Sequence, residues 1–211
     1  MKKEYVNRVV KLLKKTYPNI KIPLKFKNPF QLLVAVILSA QCTDKRVNIV
    51  TENLFKKYKT IKDFADARLN SLEKDIHSTG FYKAKARNIQ NSAKIILKKF
   101  SGKVPKNMNE ILTLPGVARK TANVVLNHAY GVIEGIAVDT HVIRIANLLG
   151  LTNSMDPVKI EQDLMNTIPK NEWKNISLLI QLLGRTVCVA RRQDCTNCTL
   201  KKICPSSSTK L

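Results

Sequence analysis

The run Asn28-Pro29-Phe30-Gln31-Leu32-Leu33-Val34-Ala35-Val36-Ile37-Leu38-Ser39-Ala40 decides how the rest of the chain must be built. Asn28 is a good N-cap, and Pro29 suits the first helical turn, where a missing N–H has no helical partner to lose. Phe30 to Ala40 is therefore read as a helix, and nearly every residue in it is apolar. Such a helix has no face to offer water, so it must be the central core helix with other elements around it. Its longest unbroken apolar stretch, Leu32 to Leu38, is far short of the roughly 18 to 20 residues that cross a bilayer, so no membrane span is expected.

Working outward, Glu4 to Tyr17 places Val6, Val9, Val10 and Leu13 at helical spacing with lysines on the other face. That is an amphipathic helix. Thr43 or Asp44 can cap a third helix carrying Val47, Val50, Leu54 and Phe55, and shorter helices are expected at Ile61 to Ala65 and Leu69 to His77. A long basic helix runs from Tyr82 to Phe100, with Ile89, Ala93, Ile96, Leu97 and Phe100 on one side. Further helices are expected at Asn109 to Thr113, Arg119 to Tyr130, Thr140 to Leu149 and Val158 to Asn166, and a last one from about Glu172 to Cys188. No stretch alternates with period two, so the expected fold class is all-α with no sheet. The tail from Pro205 to Leu211 reads as disordered.

The 211 residues carry 37 Lys and Arg against 15 Asp and Glu, a formal net charge of +22. Clustered cations are rewarded by counterion release from a polyanion, so nucleic acid is the leading partner. Asn7, Arg8 and Lys11 interrupt any signal-peptide core, which points to the cytoplasm. Four of the five cysteines crowd into the 17 residues from Cys188 to Cys204, whereas a secreted disulfide framework would spread them along the chain.

The spacing Cys188-x6-Cys195-x2-Cys198-x5-Cys204 lets four thiolates converge on one centre. Structural zinc sites commonly pair two C-x2-C knuckles, and only one is present. Iron–sulfur clusters also take four thiolates and tolerate more varied spacing, so a [4Fe–4S] cluster is favoured while zinc stays open. Cys42, by contrast, reads as a small core residue.

The segment Leu114-Pro115-Gly116-Val117-Ala118-Arg119-Lys120-Thr121-Ala122 lies between two expected helices. Its turn can expose backbone N–H groups at a helix start, a natural seat for phosphate. Lys120 follows in the first turn, and Val138-Asp139-Thr140-His141 begins a later helix. An amine nucleophile and an electrostatic partner would fit that pairing. A solvated lysine and an ordinary aspartate cap would fit it too.

Together with Leu38-Ser39-Ala40-Gln41-Cys42-Thr43-Asp44 and Gly80-Phe81-Tyr82-x2-Lys85-Ala86, these motifs resemble the endonuclease III family of helix-hairpin-helix DNA glycosylases. The resemblance covers nearly the whole chain. It implies a six-helix barrel domain over residues 22–132 and a discontinuous iron–sulfur domain of residues 1–21 and 133–211, with the substrate cleft between them. It further implies Lys120 as nucleophile, Asp139 as its assistant, and Cys188, Cys195, Cys198 and Cys204 as ligands of a [4Fe–4S] cluster. Gln41 and Phe81 match positions that enter the DNA stack when a damaged base leaves it. Leu114, Gly116, Ala118 and Arg119 of the hairpin, and Arg191 and Arg192 of the cysteine loop, are expected to contact DNA. Ala118 departs from the pattern, which often has a second glycine there; alanine implies negative φ or a strained turn. His128 and His141 are expected to be structural.

The implied activity is a bifunctional glycosylase and abasic-site lyase, a monomer acting on oxidised pyrimidines in damaged double-stranded DNA and associated with the nucleoid. Two alternatives remain at this level. One is a monofunctional mismatch glycosylase of the same architecture, which would typically lack the lysine. The other is a non-catalytic, cluster-bearing nucleic-acid-binding protein, which leaves Lys120 and Asp139 as coincidence.

Overall fold

The computed structural model describes residues 3–209. In chain order its helices are α1 (Lys3–Thr16), α2 (Pro29–Leu38), α3 (Asp44–Lys57), α4 (Ile61–Asp66), α5 (Leu69–Ile76), α6 (Tyr82–Lys99), α7 (Met108–Ile111), α8 (Arg119–Tyr130), α9 (Thr140–Leu148), α10 (Pro157–Thr167) and α11 (Trp173–Thr186). The fold is all-α, as the periodicity indicates. No helix among the described residues is long and apolar enough to cross a membrane.

One local departure from the expected absence of sheet is an antiparallel pair, β1 (Cys188–Val189) and β2 (Arg192–Gln193), in which Cys188 faces Gln193 and Val189 faces Arg192. Two residues per strand are too few for alternation to register in a sequence. The pair also shortens the last helix, which stops at Thr186 rather than running on to Cys188.

The chain forms two compact units. One is Ile22–Glu134; the other comprises the segments on either side, up to Lys21 and from Gly135 onward. The first is organised by α2, in which eight of ten side chains are buried. Asn28 caps it by accepting from the N–H of Gln31, and α3, α6 and α8 pack around it. Each Leu, Val or Ile so enclosed contributes roughly 1.5–3 kcal/mol. Phe64 of α4 fills one end, with its ring edge-on to Phe30 at 5.2 Å and tilted against Tyr58 at 5.0 Å. The Tyr58 hydroxyl in turn donates to Asp75, which also takes Lys57.

α2 ends two residues earlier than the apolar run suggests. Ser39 bonds back to the carbonyl of Val36 through its hydroxyl and to that of Ala35 through its N–H, closing the last turn. The chain then reverses through Gln41, which has a left-handed φ of 52°.

In the second unit the amphipathic stripe of α1 is realised as read: Val6, Val9, Val10 and Leu13 are all buried, and the helix packs on α11. The Tyr5 hydroxyl donates to the carbonyl of Leu149, and burial beside Cys204 pushes this phenol up to about 12. Lys14 pairs with Glu172 at 2.8 Å, a partly exposed bridge contributing at most about 1 kcal/mol. α9 and α11 approach closely because Gly184 has no side chain; a Cβ there would lie 2.9 Å from Nδ1 of His141.

The expected disorder of the tail is corrected for Pro205 to Thr209. Ser207 is buried, its N–H donates to the carbonyl of Cys204, and its hydroxyl meets that of Thr209 at 2.9 Å. Serine-rich composition resembles a solvated tail, but here the hydroxyls bond locally against the cysteine loop. Residues 210 and 211 lie outside the described residues.

Leu33 is fully enclosed. Leu33→Ala is expected to lower unfolding stability by roughly 2–5 kcal/mol, measured by denaturant titration.

Candidate active site

The segment between α7 and α8 is a tight turn. The N–H of Val117 donates to the carbonyl of Leu114 at 3.1 Å, and Gly116 takes φ of 79°. A Cβ on Gly116 would lie 2.8 Å from the Asn88 side chain of α6, so glycine is required both for its conformation and for the close approach. The Ser92 hydroxyl, also on α6, donates to the carbonyl of Pro115 and pins the turn from below. Ala118 has φ of −95° and ψ of 171°, extended backbone open to any residue. The replacement of glycine at this position therefore carries no strain.

Ala118 occupies the N-cap of α8, and no side chain caps that helix. By contrast, Asn28, Thr43, Thr60, Asn107, Asp139 and Asp156 cap their own helices with side-chain oxygens. The starts of α5, α6 and α11 likewise have no side-chain cap; a helix start carries the positive end of its dipole, which suits a phosphate. Lys120 is half-buried in this first turn. Leu114 lies in the core, only 2 % exposed, with its N–H donating to the carbonyl of Ile111 and its carbonyl accepting from Val117, so the expected DNA contact does not fit this residue. Arg119 is half-buried at the start of the helix.

Asp139, in the other unit, is the N-cap of α9 and accepts from the N–H of Val142 at 2.9 Å through Oδ1. The plain reading of Asp139 as a cap is therefore correct as far as it goes. The cap fixes the carboxylate's orientation and employs one oxygen.

Three non-glycine residues among those described have left-handed φ: Gln41, Phe81 and Ser101. Two of them are residues singled out from the sequence. Phe81, at φ of 49°, stands before α6 with 66 % of its surface exposed, so it is not a core aromatic. Gln41 is exposed as well. Conformations of this kind cost on the order of 1–3 kcal/mol each and persist only where the surroundings impose them.

The two turns that hold Gln41 and Phe81 share a partner in Lys85, to which sequence reading assigned no role. Its Nζ donates to the carbonyls of Leu38, Ala40 and Thr79, each at 2.8 Å. Burial pulls the ammonium below its ordinary lysine value, partly opposed by Cys42. The signal was available: Lys85 falls on the same stripe as Ile89, Ala93 and Ile96, where a cation has no solvent.

Cys188, Cys195, Cys198 and Cys204 line one cavity, closed on its other sides by Ile145, Leu149, Leu183 and Leu200. All four are half-buried free thiols. The loop turns repeatedly through backbone bonds, Cys198 to Cys195, Lys201 to Cys198 and Cys204 to Leu200. Cys198 also accepts from the N–H of Leu200, and Arg144 donates to the Cys188 sulfur at 3.7 Å. Burial pushes the Cys198 thiol up, and the other three thiols add to that; Ser208 pulls Cys195 down by hydrogen bonding. Arg191 and Arg192 are exposed where β1 turns into β2.

Residues 34–170 match the model of the HhH-GPD superfamily of base excision DNA repair proteins. Endonuclease III of Synechocystis sp. is 50% identical over 206 residues, covering 98% of this chain and 94% of its own; that of Bacillus subtilis is 44% identical over 189 residues, covering 89% and 86%. Among solved structures, a trapped endonuclease III–DNA covalent intermediate aligns at a TM-score of 0.93 with 42% identity, over 98% of this chain and 97% of that one. A thermostable thymine-DNA glycosylase shares the fold at a TM-score of 0.87 with 21% identity, over 97% of each chain. The chain belongs to the endonuclease III family of HhH-GPD base excision DNA repair proteins.

Proposed function

We propose that this DNA glycosylase and abasic-site lyase removes oxidised pyrimidines from duplex DNA, acting as a cytoplasmic monomer, with Lys120 as its nucleophile and Asp139 as the assisting carboxylate. The observation that carries the assignment is the lysine in the first turn of α8, behind a glycine-dependent turn whose helix start has no side-chain cap. A 42% identical relative has been trapped as a covalent intermediate with DNA, and a covalent route needs a nucleophile of this kind. A monofunctional enzyme would have no use for an amine there.

The target nucleotide leaves the stack, and the unprotonated Lys120 amine attacks C1′ of its sugar. The C1′–N bond breaks and the base departs with its electron pair, taking up a proton. Loss of the amine proton and opening of the sugar ring give a Schiff base between Nζ and C1′. This imine acidifies the C2′ hydrogen; its removal expels the 3′ phosphate, breaking the strand by β-elimination, and water then frees Lys120. Asp139, held by its bond to Val142, stabilises the positive charge developing on the sugar and can take up a proton. The N–H groups at the turn and at the start of α8 bind backbone phosphate, with Gly116 allowing close approach and Arg119 nearby. Exposed Arg191 and Arg192 add phosphate contacts.

Cys188, Cys195, Cys198 and Cys204 are the ligands for a [4Fe–4S] cluster. Support comes from the single cavity they line and from an all-thiol donor set with apolar walls. Among the described residues no three His, Cys, Asp or Glu side chains are grouped to hold one metal ion. When bound, the cluster fastens the loop that carries the two arginines.

Lys120→Gln is expected to abolish base release and borohydride trapping on a thymine glycol duplex; normal trapping would contradict the assignment. Gly116→Ala should weaken duplex binding on the order of tenfold or more in a salt-matched titration, since the added Cβ displaces the turn from Asn88. Protein purified without oxygen should contain iron and acid-labile sulfide in equal amounts, and nicking of an abasic duplex should persist in EDTA. Stoichiometric zinc in place of iron, or no nicking, would count against the cluster or the lyase respectively.

A further inference from the structure

Lys85 is the least expected residue on α6. It is 4 % exposed and lies on the helix's buried stripe, yet among the described residues no carboxylate pairs with it. Burying an unpaired cation is unfavourable, and a methionine would fill the same space without that penalty. What the ammonium does, and methionine cannot, is donate three hydrogen bonds. An ammonium has three protons, and three carbonyl oxygens receive them at 2.8 Å each.

The choice of carbonyls is informative. Leu38 is the last residue of α2, where the helix dipole presents its negative end. The carbonyl of Ala40 opens the peptide that leads into Gln41. The carbonyl of Thr79 lies two residues before Phe81, at the end of the single helical turn His77–Thr79. One side chain therefore ties together two turns far apart in sequence, 38–41 and 77–81. These turns hold the two exposed residues with left-handed φ, 52° at Gln41 and 49° at Phe81. Backbone held in that region relaxes unless something outside the turn restrains it.

We propose that Lys85 is a positioning residue: its ammonium clamps the turns 38–41 and 77–81 so that Gln41 and Phe81 are held in the strained conformation that enters duplex DNA as a base leaves it. This rests on the reading of Gln41 and Phe81 as the residues that fill and wedge the stack. Lys85 itself touches no DNA and no reacting atom. Its role is felt only where paired, stacked bases must be parted.

The test compares the wild type, Lys85→Met, the double variant Gln41→Ala/Phe81→Ala and the triple variant. Each is assayed for cleavage of an abasic site in a duplex and in the same sequence as a single strand, with circular dichroism to check folding. Lys85→Met is expected to lower kcat/KM on the duplex on the order of tenfold to a hundredfold while changing single-strand cleavage by less than about twofold. Added to the double variant, it should cost less than about twofold more, because the residues it positions are already gone. Equal loss on both substrates, or undiminished loss in the triple variant, overturns the proposal. If Gln41→Ala/Phe81→Ala cleaves the duplex normally, the underlying reading of those two residues fails and the proposal falls with it, a failure visible in a different variant. Should Lys85→Met not fold, Lys85→Gln, which keeps two donors for the three carbonyls, takes its place: duplex-selective loss is again expected, and equal loss on both substrates again overturns the proposal.

Discussion

A helix without a wet face can exist only inside a shell, and α2 is such a helix. Its enclosure requires α3, α6 and α8 to pack on it, and that requirement fixes the frame on which the candidate chemistry is mounted. α8 carries Lys120 in its first turn, and α6 supports the turn that precedes it through Asn88 and Ser92. Lys120 thus stands at a braced helix start rather than on a loose loop. A position held in this way suits a nucleophile whose reach to C1′ must be set before reaction.

The same packing leaves polar groups to satisfy at the end of α2. Carbonyls released where the helix stops need donors, and Lys85 supplies them from the neighbouring α6. Satisfying the helix end and bracing the turns that bear Gln41 and Phe81 become one structural act. The cysteine loop belongs to the other unit, where Cys188 follows α11 and the remaining three thiols turn back toward it. Lys120 lies in the first unit, so loss of the proposed cluster should disturb the second unit and its exposed arginines before it disturbs the setting of Lys120.

Much of this was legible in the sequence because the residues involved act locally. Asn28 and Thr43 cap the helices they were expected to cap, and the stripe of Val6, Val9, Val10 and Leu13 is buried as spaced. What escaped reading depends on partners distant along the chain. Nothing near Lys85 announces that its three acceptors lie up to 47 residues away. Leu114 looked like part of a binding turn because the motif is read as a unit; packing places that residue in the core. The two-residue strands and the ordered serines of the tail likewise owe their structure to the folded cysteine loop, not to propensity. The left-handed backbone of Phe81, with φ of 49°, is a conformation that the local preference of a phenylalanine gives no reason to expect.

The proposed reaction rests on one amine, on the first turn of α8, forming the covalent bond to DNA. The decisive measurement is to reduce the enzyme–DNA intermediate with borohydride on an abasic duplex, digest the product and locate the sugar adduct by mass spectrometry. A single adduct on the peptide containing Lys120 is expected. An adduct on Lys85, on the N-terminal amine or on any other lysine, with Lys120 unmodified, would contradict the assignment.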